Sequence, residues 1–302
     1  MKSFGTALRA LAFLAAAAPM LAVGPAPAGA AEAAAAAPAI GTLRVFGDSY
    51  SDPDREAFND WAEQLLAEGR VTALKSYAKS GATAATVGTN TFARQIRLFK
   101  ADAVRFRPKD VTVVFLGLND ILEFNQTFGP SRSGYTAGVG ALLNAGATRN
   151  GARLFFVKVP DVGATPAFNA NASKRSLYRQ KTIVWDKFVT KRAEEIGGVG
   201  VIDLLALFDR VVANPSAYGL TNVKTADKPR SRTTALWADP LHVGFKGYAI
   251  IADEVYRAIK PPAAAPAVVL FDEAEPAAAS VTVASLTAGL AEAPASALPP
   301  LP

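Results

Sequence analysis

The stretch LRVFGDSYSDPD, residues 43–54, begins as an apolar, partly β-branched run and breaks at Gly47 into aspartates and serines. Glycine tolerates positive φ, and Asp and Ser hydrogen-bond their own backbone, so the break reads as a turn. If the run before it is a strand of a parallel sheet, the turn holds Ser49 just past a carboxyl end. Open α/β sheets collect their reactive groups there. That reading sets the fold expected for the whole chain.

Working outward, short apolar runs alternate with longer helical stretches, the pattern of βαβ units and a parallel sheet. The strands expected are Leu43–Phe46, Thr72–Tyr77, Val111–Leu116, Arg153–Val159 and Val199–Asp203. Apolar spacing predicts helices over residues 54–69, 90–103, 134–151, 173–198 and 244–260. Strands that are apolar throughout are covered on both faces. The expectation is a three-layer α/β/α sandwich around a central, mostly parallel five-stranded sheet.

The flanks have a different composition. Residues 1–30 carry Lys2 and Arg9, an apolar run from Ala10 to Val23, and small residues ending at Ala28-Gly29-Ala30. This is the layout of a signal peptide cleaved near Ala30, and Pro19 and Pro25 cut the run too short for a membrane anchor. Export to the periplasm or beyond the cell is therefore expected. Residues 31–41 read as a linker, 42–260 as the domain, and the alanine- and proline-rich residues 261–302 as a disordered tail.

The chain has no cysteine, which excludes disulfides, thiolate metal sites and a cysteine nucleophile. Its formal charge of +6 is unevenly placed. Two bases lie in residues 1–30 and four acids, with no base, in residues 261–302, which leaves a net +8 on residues 31–260. Such a body suits peripheral contact with an anionic surface, or simply serves solubility. No nucleic-acid partner is expected.

Four segments fall at strand ends. GDSYSD brings Ser49, SYAKSGATAAT brings Gly81, FLGLNDIL brings Asn119 and Asp120 in the loop after the third strand, and WADPLH brings Asp239 and His242. His242 is the sole histidine. An Asp three residues before it can accept a hydrogen bond from the imidazole, the support a histidine needs to deprotonate a serine. Each piece also has a plain reading: a structural histidine, a loop asparagine, or a glycine that relieves crowding.

Together, FGDSYSD, YAKSGAT, GLND and DPLH resemble, in order and spacing, the sequence blocks of the GDSL family of esterases and lipases, the SGNH hydrolases. The resemblance spans residues 42–260. It departs where HVGFKG stands in place of the Pro-Thr or Pro-Ser that follows the histidine in many relatives. The chain also lacks the Gly-x-Ser-x-Gly elbow around Ser49.

The resemblance implies a flavodoxin-like SGNH-hydrolase fold and a carboxylic ester hydrolase. Ser49 would be the nucleophile, His242 the general base and then acid, and Asp239 its orienting partner. The oxyanion hole would comprise the N–H groups of Ser49 and Gly81 and the amide of Asn119. Asp48 and Asp52 read as turn and helix-cap residues. Like Asp120, they are candidates to support the site from behind.

The chemistry needs no cofactor, and no metal is expected with one histidine and no cysteine. The substrate is an ester: a lipid, a short-chain acyl compound or an O-acetylated glycan. Phe124, Phe128 and Trp237 are candidate acyl-pocket walls, Arg230 and Arg232 candidate anion contacts, and residues 123–138 and 221–240 candidate pocket borders. An acyltransferase would use the same residues, and a noncatalytic ligand-binding surface protein is the alternative of a different class. A histidine base must be neutral to act, so hydrolysis is expected to fade on the acidic side.

Overall fold

Strand β1, Ile40–Gly47, lies inside the sheet and pairs in parallel with the edge strand β2, Val71–Ser76, on one side and the central strand β3, Val111–Phe115, on the other. Beyond β3 come β4, Arg153–Lys158, and β5, Gly200–Asp203, also parallel. The order β2-β1-β3-β4-β5 is the doubly wound, flavodoxin-like order, whose topological switch lies between β1 and β3. A computed structural model describes residues 40–55, 60–86, 88–123 and 128–261, which belong to one unit. The expected signal peptide and tail lie outside the described residues, except for Pro261.

All five expected strands form, within a few residues of their predicted ends. Ile40 and Gly41, expected in a linker, belong to β1: Gly41 N–H bonds to the Lys109 carbonyl (3.0 Å), and the Ile40 side chain is fully buried. Every residue of β3 is buried, as a strand covered on both faces requires.

The helices expected between the strands also form. They are α1 (Trp61–Ala67), α2 (Phe92–Ala101), α4 (Gly129–Asn144), α5 (Ala172–Ile196) and α7 (Phe245–Ile259). Helix α1 packs on α7 and α2 on α4, giving the outer layers. Asp60 caps α1 through a capping box with Glu63, a device that contributes about 1 kcal/mol.

Two short helices were not predicted, α3 (Leu118–Glu123) and α6 (Leu204–Ala213). Nor was a separate two-stranded parallel sheet of β6 (Asn222–Ala226) and β7 (Ala235–Trp237). This ribbon leads directly into the Asp239–His242 loop.

Asp186 on α5 is fully buried at the carboxyl end of β4, where its Oδ1 accepts the Val159 N–H (2.9 Å). Burial pushes its carboxyl up to about 8, and burial likewise pushes Asp48 and Asp60 up to about 7. Between pH 4 and 8 the unfolded Asp186 is ionised while the folded one keeps its proton. Folding then takes up a proton, and stability falls as pH rises through that window.

The melting temperature is expected to be several degrees lower at pH 8.5 than at pH 5.5. Asp186→Asn keeps the acceptor for Val159 and should flatten that slope, by on the order of 2 kcal/mol at the alkaline end. Thermal melts across the range check it; an unchanged slope in the variant removes Asp186 as a source.

Candidate active site

The turn that carries Ser49 is built by Asp48. Its carbonyl accepts the Ser51 N–H (3.0 Å) and its Oδ1 the Tyr50 N–H (3.0 Å), so Ser49 is held at the apex. Below it, Gln95 on α2 grips both polar groups of Gly47: Gly47 N–H donates to Oε1 (3.0 Å), and Nε2 donates to the Gly47 carbonyl (2.7 Å). A Cβ at Gly47 would stand 3.0 Å from the Phe115 carbonyl and the Ser51 Cβ. Only glycine lets the turn leave the strand this tightly.

The loop after β7 carries the candidate base. Asp239 Oδ1 accepts the N–H groups of Leu241 (2.8 Å) and His242 (2.7 Å), folding the chain back on itself. Both carboxylate oxygens lie 2.9 Å from His242 Nδ1, and His242 Nε2 lies 2.9 Å from Ser49 Oγ. Burial works to raise the Asp239 carboxyl, but the bonds from the ring and from the two N–H groups prevail and hold it well below the usual carboxylate range. Nδ1 is therefore the donor to Asp239, and Nε2 is left to accept the Ser49 hydroxyl proton. Val243 stands at the position where many relatives carry proline, and the next residue, Gly244, caps α7; a Cβ on Gly244 would stand 2.2 Å from the Ser231 side chain.

The expected oxyanion donors gather on one side of Ser49, where Gly81 and Asn119 line the same cavity as His242. Gly81 adopts φ +73° with nothing crowding its Cβ position, so its glycine serves conformation and not space. Its N–H and that of Ser49 have no hydrogen-bond partner among the described residues. Asn119 sits in the first turn of α3 and not in a loop; its Nδ2 donates to the Ala82 carbonyl (2.9 Å), leaving a second hydrogen.

The three supporting aspartates have distinct partners. Asp52 accepts the Ser80 N–H (2.7 Å) and so fixes the segment that carries Gly81, while Asp120 accepts the Ala84 N–H (2.9 Å). Asp48 makes the turn. Neither Asp48 nor Asp52 caps a helix, since the cap of α1 is Asp60.

Other expectations are corrected by packing. Trp237 is fully buried, donating Nε1 to the Val223 carbonyl (2.9 Å), and Phe128 packs against Trp185 at 5.6 Å; neither faces the site. Phe124 lies outside the described residues. Arg230 pairs with Asp227 (3.2 Å), and Arg232 lies over the Phe245 ring (5.9 Å). Of residues 123–138, the part from Gly129 onward is helix α4, whereas of residues 221–240 Lys228, Ala238 and Asp239 line the space around Ser49.

Three residues that sequence reasoning missed are central. Arg55 donates Nη2 to Asp239 Oδ2 (2.7 Å), Tyr50 donates its hydroxyl to the Leu241 carbonyl (2.8 Å), and Gln95 anchors Gly47. Their partners lie tens to hundreds of residues away, so only the folded sheet brings them together. Among the described residues, no three His, Cys, Asp or Glu side chains form a group that could hold a metal ion. No described helix is long and apolar enough to cross a membrane.

A serine, a histidine and an aspartate aligned at the carboxyl edge of a doubly wound parallel sheet belong to the chemistry of an ester hydrolase. The GDSL-like Lipase/Acylhydrolase family matches residues 45–250, and the chain belongs to that family. It is a carboxylic ester hydrolase.

Similar solved structures include a lipolytic protein of the G-D-S-L family from Veillonella parvula DSM 2008, 14% identical, covering 72% of this chain and 97% of that one, with a TM-score of 0.46. The acetyl xylan esterase AlAXEase is 17% identical over 72% of this chain and 98% of its own (TM-score 0.47). An acetylxylan esterase from Geobacillus stearothermophilus is 17% identical over 73% and 94% (TM-score 0.45). No curated protein matches the chain.

Proposed function

We propose that this chain is an exported serine esterase acting through an acyl-enzyme on Ser49. The observation that carries the reading is the continuous relay from Ser49 Oγ to His242 Nε2 and from Nδ1 to Asp239, each step 2.9 Å. Ser49 Oγ attacks the ester carbonyl as Nε2 takes the hydroxyl proton. The carbonyl oxygen becomes an oxyanion facing the N–H groups of Ser49 and Gly81 and the free hydrogen of Asn119.

Collapse breaks the bond to the alcohol oxygen, which leaves with the proton from Nε2. Water then attacks the acyl-serine, giving its proton to Nε2, and the second collapse returns a proton to Oγ and frees the carboxylic acid. Asp239 keeps the imidazole in the required tautomer and offsets its transient charge. Export is proposed from the cationic and apolar composition of residues 1–30.

A serine-directed phosphonate should add one adduct mass to the peptide containing Ser49, and none in His242→Ala, in which nothing takes the hydroxyl proton. An adduct on another serine, or equal labelling of the variant, would overturn the assignment.

A further inference from the structure

Two loops meet at Ser49, and three side chains of the first fasten the second. From the loop after β1, Ser49 Oγ meets His242 Nε2 (2.9 Å), the Tyr50 hydroxyl donates to the Leu241 carbonyl (2.8 Å), and Arg55 Nη2 donates to Asp239 Oδ2 (2.7 Å). We propose that Arg55 is a positioning residue for ester hydrolysis, holding the Asp239 carboxylate against His242 Nδ1. The proposal rests on Ser49 being the nucleophile and His242 its base.

The two oxygens of Asp239 are held from different parts of the chain. Oδ1 accepts the N–H groups of Leu241 and His242, which belong to its own loop. Oδ2 meets only the imidazole and Arg55 among the described residues. The Asp239 side chain is 38% exposed, so without the guanidinium water competes for Oδ2 and the carboxylate turns about its bond to Cβ. That turn moves the acceptor of the Nδ1 proton, and the imidazole follows it away from Ser49. A misplacement of about 1 Å can cost ~10²-fold in rate.

Arg55 is itself anchored. Its backbone N–H bonds to the Asp52 carbonyl (3.1 Å), and the Asp52 side chain accepts the N–H groups of Asp54 (3.1 Å) and Ser80 (2.7 Å). The turn that presents Ser49 therefore continues into a second turn that presents the guanidinium. Asp52 and Asp60 line the same cavity, yet the guanidinium bonds to Asp239.

Stability does not account for the pair. With side chains 29% and 38% exposed, it lies in the range where ion pairs add little to folding. Arg55 Nη1 is meanwhile buried without a hydrogen-bond partner among the described residues, which costs the fold. A guanidinium held at that cost and fastened to the carboxylate behind the base serves the reaction.

The test is a double-mutant cycle on p-nitrophenyl acetate, with the full chain, its Arg55→Ala and Asp239→Asn variants and the double variant, and with Ser49→Ala as the blank. Arg55→Ala should lower kcat by about 10- to 100-fold, with KM within a few-fold and the melting temperature nearly unchanged. Millimolar guanidinium chloride should restore most of the lost kcat, because the free cation can enter the open cavity beside Asp239. Urea, of the same shape without the charge, should restore none. In the Asp239→Asn background no carboxylate is left to hold, so Arg55→Ala should cost less than about threefold.

A kcat within about threefold of wild type in Arg55→Ala would overturn the proposal. So would an equal loss in the Asp239→Asn background, which would mean that Arg55 acts elsewhere. A loss that comes with a lower melting temperature and no response to guanidinium would make Arg55 structural. If circular dichroism shows Arg55→Ala unfolded, Arg55→Lys runs through the same cycle, since an ammonium keeps the charge but not the planar geometry. It should lose kcat several-fold in the wild type and almost none in the Asp239→Asn background, and equal losses overturn the role. Hydrolysis that survives Ser49→Ala would overturn the serine reading itself, whatever Arg55 does.

Discussion

Ser49→Ala is expected to lower kcat for p-nitrophenyl acetate by at least about 10⁴-fold while leaving the melting temperature and KM nearly unchanged. In the proposed mechanism the hydroxyl is the atom that becomes bonded to the acyl carbon, so no neighbour can stand in for it. It is half-buried and its one side-chain hydrogen bond among the described residues is to His242, so the fold loses little with it.

His242→Ala should cost a similar factor, because a serine hydroxyl without a base is a poor nucleophile at neutral pH. The double variant should be no worse than either single one, since the two groups act as a unit and their losses do not add. Burst and steady-state kinetics on the three variants check this. A Ser49→Ala enzyme within tenfold of wild type would mean that hydrolysis runs through another group. Losses that multiply in the double variant would mean that the two side chains act in separate steps.

The parts of this site that were legible in the sequence share one property: each is local. Gly47 to Asp52 forms a turn from its own hydrogen bonds, and the Asp239–His242 pair closes within four residues, so the residue types and spacing carry the geometry. The strands were legible because β1, β3 and β4 are buried on both faces and therefore apolar almost throughout.

What was missed is nonlocal or too short for a period to show. Arg55 meets Asp239 only because the loops after β1 and β7 end at the same edge of the sheet. Helix α3 spans six residues, less than two turns, and β6 is largely exposed, so neither has a hydrophobic signature. Trp237 and Phe128 looked available because they lie in stretches rich in polar residues. Packing claimed them, as it claims most large aromatic side chains in a domain of this size.

Asn119→Ala is expected to lower kcat by about 10²–10³-fold with KM within a few-fold of wild type, the signature of a group that binds the oxyanion and not the ground-state ester. The amide has two hydrogens, and only one is spent, on the Ala82 carbonyl at 2.9 Å. That bond fixes the rotamer, so the second hydrogen is aimed before substrate arrives and costs no reorganisation during reaction.

Because the alanine variant also frees Ala82, its loss alone mixes aim with loop order. Asp120 continues to hold the Ala84 N–H at 2.9 Å, which limits the disorder. Asn119→Asp removes both amide hydrogens at constant shape. It is isosteric but has no hydrogen to offer and sets a negative charge toward a developing one, so it should lose more kcat than alanine. Aspartate cannot donate to the Ala82 carbonyl either, so a purely structural role predicts that both variants lose melting temperature and binding along with kcat. A lost kcat beside a nearly unchanged KM and melting temperature instead assigns Asn119 to the reacting oxygen.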